Sequence, residues 1–233
     1  MTHYQKHFDS DNEEVLAAYQ AETKGNYHEA IDHYSKALKE DPKLGIVYKH
    51  LGNVYYRVGY LDEAAKSLEK AVELLPTFPT ALYDLALTYY RQAKIKEAIN
   101  CLQRVIEMDP DYLMAHYWLG IMNYHNGHLK DAKKHYKIVT ENHPDFTIAY
   151  FYLGVTNLRL GQFEEAETNF KEVIRKNPES PAAYALLAEA YQNQGKRTET
   201  RKAYLKALEL DPDDKTAKRG LAALKDFNPE ITL

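Results

Sequence analysis

Apolar and polar positions along this chain form two short helical stripes that return at a fixed interval. Within each interval, large or small apolar residues favour positions 4, 7, 8 and 11, and then positions 17, 20, 24 and 27. Steps of three and four residues place side chains on one side of an α-helix. Each interval therefore predicts two amphipathic helices, whose apolar faces meet each other and the helices of the next interval.

Prolines fix the length of this interval. They recur at steps of 34 residues, at Pro42, Pro76, Pro110, Pro144, Pro178 and Pro212. Because proline cannot continue a helix, each marks the same break in a repeating structure. We number the positions of a repeat from 1 to 34. The predicted organisation is an N-terminal arm, six repeats, and a capping helix with a tail: 1–10, 11–44, 45–78, 79–112, 113–146, 147–180, 181–214 and 215–233.

Small residues at constant positions indicate how the two helices of a repeat meet. Position 8 is always Gly or Ala, and position 20 is Ala in five repeats, opposite a large residue at position 24. Position 15 is glycine in five repeats and Ala93 in the third. Glycine at this point predicts the turn between the helices. Ser10 with Glu13 predicts a capping box at the start of the first helix.

These motifs resemble the tetratricopeptide repeat family. Its pattern appears as Tyr48-x₂-Leu51-Gly52-x₂-Tyr55 … Ala64-x₃-Leu68 … Pro76, and again as Tyr150-x₂-Leu153-Gly154 … Ala166-x₃-Phe170 … Pro178. The resemblance covers residues 11–214. It implies an all-α fold, an α-solenoid in which antiparallel helix pairs build a right-handed superhelix, closed by a C-terminal capping helix.

The resemblance also implies that the first helices line a concave groove for peptides or helices, at positions 5, 6, 9 and 12. In the third to fifth repeats these positions are aromatic or apolar, except for Asp84, and position 13 is arginine in the second, third and fifth repeats and His125 in the fourth. Aromatic residues and arginine usually supply interface energy. The alternative, in which the tyrosines pack on neighbouring helices and the arginines are merely solvated, stays open. The predicted groove residues are Lys49, Asn53, Tyr56, Arg57, Tyr83, Tyr90, Arg91, Tyr117, Trp118, Ile121, Tyr124, Phe151, Tyr152 and Arg159.

The function implied by the resemblance is a non-catalytic scaffold or adaptor for protein–protein interaction. The predicted partner is a protein or peptide segment with apolar or aromatic anchors and acidic residues. The alternative is a regulatory or targeting subunit of an enzyme, or of a pilus, secretion or organelle assembly. Homo-oligomerisation stays open.

One subtype of the family holds a terminal carboxylate with a set of Lys, Asn and Arg side chains. Lys49 and Asn53 match that set, but Asp84, Met114 and Trp118 replace its remaining members. An acidic residue and two apolar residues cannot hold a carboxylate. The sequence therefore argues against this clamp.

Composition and motifs narrow the remaining classes. A net charge of −4 gives no basic surface for nucleic acid, and no apolar run is long enough to span a membrane. The one cysteine, Cys101, fits a reducing compartment, so a cytoplasmic protein is expected. No catalytic motif is present, so we expect no enzyme and no cofactor. His116, His125 and His128 do not share one helix face at ligand spacing, so no metal site is predicted.

Overall fold

The structure, a computed structural model, describes residues 12–226. This range contains thirteen α-helices and no strand. The helices are α1 Glu13–Lys24, α2 Tyr27–Glu40, α3 Gly45–Val58, α4 Leu61–Leu74, α5 Pro79–Arg91, α6 Ile95–Met108, α7 Leu113–His125, α8 Leu129–Asn142, α9 Thr147–Arg159, α10 Phe163–Lys176, α11 Pro181–Asn193, α12 Arg197–Leu210 and α13 Lys215–Asp226. They pack as consecutive pairs. The all-α solenoid fold predicted from the repeat pattern is confirmed.

The chain forms two compact units that divide between Ala115 and His116, inside α7. We call their described parts the N-terminal half (12–115) and the C-terminal half (116–226). In the N-terminal half, consecutive helices pack against each other along the series from α1 to α6. In the C-terminal half, the same holds from α8 to α13. The predicted arm, 1–10, and the tail from residue 227 lie outside the described residues.

The turn inside each repeat has a left-handed backbone. The glycines at position 15 have φ between 72° and 88°, as predicted from their spacing. Ala93 takes the same place in the third repeat with φ of 59°, and among the described residues it is the one non-glycine with positive φ. At each of these glycines, an added Cβ would meet no atom within 4 Å. Backbone conformation, and not space, therefore favours glycine here.

Close contact between the paired helices explains the small residues at position 8. A Cβ on Gly120 would lie 2.5 Å from Cε1 of Tyr136, which is fully buried at position 24. The Tyr136 ring therefore packs against the bare backbone of Gly120 on the partner helix. Positions 8, 20, 24 and 27 are buried in all six repeats.

The structure corrects one expectation and adds two features that the repeat pattern does not predict. The predicted capping box is wrong, because the N-cap of α1 is Asn12, whose side chain accepts a hydrogen bond from the Val15 backbone at 3.1 Å. Positions 3 and 10 are also buried from the second repeat onward. In the second, third, fifth and sixth repeats, the first helix packs on both neighbouring second helices. In the capping helix, Ala222 is exposed, and Gly220 lies against Tyr204 instead.

Candidate functional site

Aromatic side chains cluster on the first helices of the C-terminal half, α7 and α9. Ile121 is buried beneath them with 9% of its surface exposed, whereas the rings above it are only partly buried. The Tyr117 ring lies edge-on to Phe146 at 5.3 Å and to Tyr152 at 6.1 Å. We call this surface the aromatic face; its residues are Tyr117, Trp118, Ile121, Tyr124, Phe151 and Tyr152.

Arg159 borders the aromatic face. Its guanidinium carbon lies 4.7 Å from the centre of the Tyr124 ring, and the arginine remains exposed. A cation over an aromatic ring orients both groups at a modest energetic gain. The arginine is thus held at the edge of the face while its charge stays accessible to an acidic group.

A buried hydroxyl without a partner lies in the same cluster. Tyr136 is fully buried, its ring stacks on Tyr152 at 5.8 Å, and its Oη atom has no hydrogen-bond partner. Burial, followed by the neighbouring Tyr117 and Tyr152, raises the pKa of Tyr136, so the hydroxyl keeps its proton. An unpaired buried hydroxyl costs about 1–3 kcal/mol. The site therefore has an unused hydrogen-bond donor.

The equivalent tyrosines of other repeats show what is missing. The hydroxyl of Tyr34 donates to Glu22 at 2.7 Å, and that of Tyr204 donates to Gln192 at 3.1 Å. Glu22 and Gln192 both occupy position 12 of the repeat. In the fourth repeat, position 12 is Tyr124, so an acceptor is replaced by a second ring.

The N-terminal half carries a smaller version of this surface. The Arg91 guanidinium lies 4.7 Å from the centre of the Tyr56 ring and donates to the Tyr56 carbonyl at 3.0 Å. Arg57 lies 5.9 Å from the Tyr27 ring. Tyr83 packs near Tyr112 at 5.4 Å, and the side chain of Tyr90 is half-buried. The predicted arginines are therefore in contact with aromatic rings in both halves.

Lys49 and Asn53 are brought together by an acidic residue. The ammonium of Lys49 lies 3.2 Å from Asp84, and the amide of Asn53 donates to the same carboxylate at 2.9 Å. Asp84 therefore occupies the polar groups that match the family's carboxylate clamp. This geometry agrees with the argument against such a clamp.

A second polar network lies beside it, around Glu22. This carboxylate accepts from Tyr34 and lies 3.1 Å from Nδ1 of His50. Burial alone would raise the pKa of Glu22, but the hydrogen bonds with His50 and Tyr34 outweigh burial and lower it.

The histidines and the cysteine show no metal or catalytic geometry. Within residues 12–226, no group of three His, Cys, Asp or Glu side chains could hold a metal ion. The buried His116 pairs with the partly buried His135, with 3.0 Å between their Nδ1 atoms. Burial raises the pKa of the Cys101 thiol to about 11, so this thiol is not activated.

Two residues with an unpaired buried group escaped the sequence analysis. Tyr136 is the large residue at position 24, where the pattern predicts packing only, and its unpaired hydroxyl becomes evident only from its neighbours. Asn157 at position 11, where three repeats carry tyrosine, was not singled out at all. A comparison of positions 11, 12 and 24 across the repeats would have marked both.

Comparisons with known proteins agree with the repeat pattern. Models described as tetratricopeptide repeat match residues 83–132, 124–181 and 157–224, and one described as TPR repeat matches residues 23–59 and 52–93. The Hsp70-Hsp90 organizing protein of Triticum aestivum is 42% identical over 52 residues, which are 22% of this chain and 9% of the wheat protein. The chain thus matches only a small part of that relative.

Solved structures share the fold. YrrB, described as a TPR protein with an unusual peptide-binding site, superposes with a TM-score of 0.76 at 23% identity, covering 81% of this chain and 97% of YrrB. MamA from Desulfovibrio magneticus RS-1 gives a TM-score of 0.68 at 19% identity, covering 73% and 97%.

This fold typically serves as a non-catalytic scaffold for protein interactions. None of the helices in residues 12–226 combines the length and the apolar character that crossing a membrane requires. Family models together match residues 23–224 without a break. The chain belongs to the tetratricopeptide repeat family.

Proposed function

We propose that this protein binds a segment of a partner protein across the aromatic face. The carrying observation is the buried Tyr136 hydroxyl, which has no acceptor inside the chain and lies among half-buried rings. Because the hydroxyl is enclosed, a backbone carbonyl or a carboxylate of a bound segment would complete the hydrogen bond once the rings that cover it move aside. Binding would thereby remove a cost of about 1–3 kcal/mol that the free protein carries.

The rings around Tyr136 define the rest of the partner chemistry. Tyr117, Trp118 and Phe151 offer partly exposed aromatic surface, which favours apolar or aromatic anchors. Arg159 at the edge favours acidic residues next to those anchors. In the N-terminal half, Tyr56, Tyr83, Tyr90, Arg57 and Arg91 offer the same combination, and the proposal extends to them. Lys49 and Asn53 both contact the Asp84 carboxylate. In the proposal they form part of the surface in the N-terminal half and do not bind a charged group of the partner.

The experiment starts from peptides selected on the full chain from a random-peptide library, whose affinities are then measured by fluorescence anisotropy. Trp118→Ala should weaken the selected peptides by about 2 kcal/mol, or roughly 30-fold. Leu205→Ala is the matched control. Leu205 is an exposed apolar residue on α12, the second helix of the last repeat, whereas the aromatic face lies on first helices. The control should leave affinity unchanged.

Tyr136→Phe separates the hydroxyl from the ring. Without ligand, this variant should be as stable as the wild type or more stable, because it removes an unpaired polar group. With the selected peptide, it should bind about 5- to 10-fold more weakly, the value of one hydrogen bond. Selected peptides without apolar or aromatic residues, or equal competition by a purely acidic peptide, would contradict the proposal.

A further inference from the structure

Partly exposed apolar side chains continue from the aromatic face along the first helices of the C-terminal half. They lie on α9 and α11, and we call them the apolar path: Phe151, Val155, Leu158 and Leu186. Phe151 belongs to both surfaces. Because α9 contacts α11 and α11 contacts α13, the path leads from the aromatic face toward the last described helix.

The charged groups beside the path differ between its two helices. Arg159 on α9 is exposed, and its guanidinium lies over the Tyr124 ring. On α11, Glu189 occupies position 9, one of the positions that line the groove, and is partly exposed. A ligand that crosses both helices should therefore place an acidic residue at α9 and not at α11, since like charges would repel each other there.

The segment that follows α13 has the composition that this surface favours. Residues 227–233 have the sequence Phe-Asn-Pro-Glu-Ile-Thr-Leu. Three of these seven side chains are large and apolar, and Glu230 is the one charged side chain among them. Apolar anchors next to an acidic residue are the chemistry that the aromatic face and Arg159 select in a partner.

The length of this segment matches the distance from α13 to Arg159. Packed helices lie about 8–10 Å apart, so α13 and α9, with α11 between them, are about 20 Å apart. Asp226 corresponds to position 12 of a repeat and Arg159 occupies position 13, so the segment starts at the level of the arginine. Seven residues span at most about 23–25 Å. Pro229 disfavours a helical conformation of the residue before it, which leaves this length available.

We propose that residues 227–233 bind the apolar path of their own chain. The Arg159 guanidinium donates to the Glu230 carboxylate, and Ile231 and Leu233 pack on Phe151 and Val155. The bound segment occupies Arg159 and one edge of the aromatic face, so it competes with a partner segment for them. This inference rests on the proposed function, because both ligands use the same face.

Attachment to the chain allows a weak contact to fill the site. A segment joined to its site by a short link has an effective concentration of about 1 mM. If the free segment binds with a Kd of about 0.1 mM, the attached segment occupies the path in roughly ten molecules for each one in which the path is open. A competing ligand then binds about 10-fold more weakly.

The first test observes the contact by NMR without any partner. The methyl signals of Val155 and Leu158 in the isotope-labelled full chain are compared with those of the double variant Ile231→Ser/Leu233→Ser. In the variant they should move to the positions found in a chain that ends at Asp226, which keeps all thirteen described helices. The matched control is Tyr4→Ser/Phe8→Ser, which removes apolar residues from the other end of the sequence and should change neither signal. Identical signals in the wild type and the Ile231→Ser/Leu233→Ser variant would overturn the inference.

A charge reversal tests the pair of Glu230 and Arg159. Glu230→Lys should release the segment and move the Val155 and Leu158 signals as the double variant does. Adding Arg159→Glu should return them toward the wild type, because the pair is restored with opposite signs. Signals that stay at the released position in the combined variant would refute the assignment of Glu230 to Arg159.

Competition is measured by the anisotropy of a fluorescein-labelled peptide with the sequence of residues 226–233. It should bind the chain that ends at Asp226 and bind the full chain about 10-fold more weakly. Equal affinity for the two chains would contradict occupation of the path by the attached segment. Differences in the Val155 and Leu158 signals that grow with protein concentration would assign the segment to a second copy and overturn binding within one chain.

The outcomes separate this inference from the proposed function. If the peptides selected from the library lose affinity in Trp118→Ala but Val155 and Leu158 show no contact with the segment, the inference fails and the proposed function stands. If the contact is present but the selected peptides ignore Trp118→Ala, the proposed function fails and the contact stands.

Discussion

The turn residues at position 15 offer a direct test of how backbone conformation stabilises the repeats. Ala93 has φ of 59°, whereas Gly59, one repeat earlier, has φ of 88°. Both turns lie in the N-terminal half and close with the same hydrogen bonds, from position 15 to the carbonyl of position 12, at 3.0 Å and 3.3 Å. The two exchanges, Ala93→Gly and Gly59→Ala, should therefore have opposite effects on stability.

The magnitudes follow from two opposing terms. A non-glycine residue in the left-handed region costs about 1–2 kcal/mol, whereas alanine in place of glycine reduces the entropy of the unfolded chain by about 0.4–1 kcal/mol. No atom lies within 4 Å of a Cβ added at Gly59, so no clash contributes. We expect Gly59→Ala to destabilise by about 0.5–1 kcal/mol and Ala93→Gly to stabilise by a similar amount.

Urea unfolding measured by circular dichroism reports both effects as shifts of the midpoint at unchanged slope. The double variant should return close to the wild-type midpoint, because the turns belong to different repeats and do not touch. If Ala93→Gly destabilised the protein, the contacts of the alanine methyl group would have to contribute more free energy than the strained backbone costs. A neutral Gly59→Ala protein would remove the conformational argument for all six turns.

Two further predictions concern acid stability and the C-terminal cap. Burial, followed by the charge of His116, lowers the pKa of His135 to about 4 from 6.5. The neutral His135 ring stabilises the folded protein fully above about pH 6.5. This contribution is lost as the pH falls toward 4, because in that range the unfolded chain binds a proton at His135 that the folded chain does not. About 2 kcal/mol should disappear between pH 7.5 and pH 5, and His135→Asn should lack this loss in pH-dependent urea unfolding. Removal of 215–233 should uncover Tyr204 and Ala207, and hydrogen exchange should rise in 181–214 while 12–44 keeps its protection; a uniform rise would contradict this.

The fold was predictable because its signals are backbone signals repeated six times. Prolines end each repeat and residues with positive φ mark each turn, and neither depends on details of packing. The width of the buried stripe was less predictable. Val47 and Val54, at positions 3 and 10, are buried because α3 packs against both α2 and α4. The local pattern of one helix pair does not contain that second neighbour.

The candidate site was predictable as a set of residue types but not as a set of contacts. The sequence places Trp118 and Tyr152 at the same position of successive first helices, and the structure packs their rings around Tyr117. It could not show that Arg91 binds the Tyr56 carbonyl, or that Asp84 holds Lys49, because such pairs depend on side-chain reach between repeats. Whether these residues bind a ligand remains a proposal that the experiments above decide.

The best candidates for ligand recognition in this chain are the places where one repeat departs from the others. Four buried side-chain atoms among residues 12–226 lack a hydrogen-bond partner, and two of them belong to the partly exposed Thr80 and Gln92. The other two belong to Tyr136 and Asn157, which are 0% and 1% exposed. Tyr136 lacks an acceptor because Tyr124 occupies position 12, where Glu22 and Gln192 accept from the corresponding tyrosines. Asn157 occupies position 11, where three repeats carry tyrosine and the fourth carries Asn123. A repeat protein can satisfy such groups internally, as Glu22 does for Tyr34. Where it does not and a ligand can reach the group, as at Tyr136 once the covering rings move aside, the free energy of the missing hydrogen bond is available to that ligand.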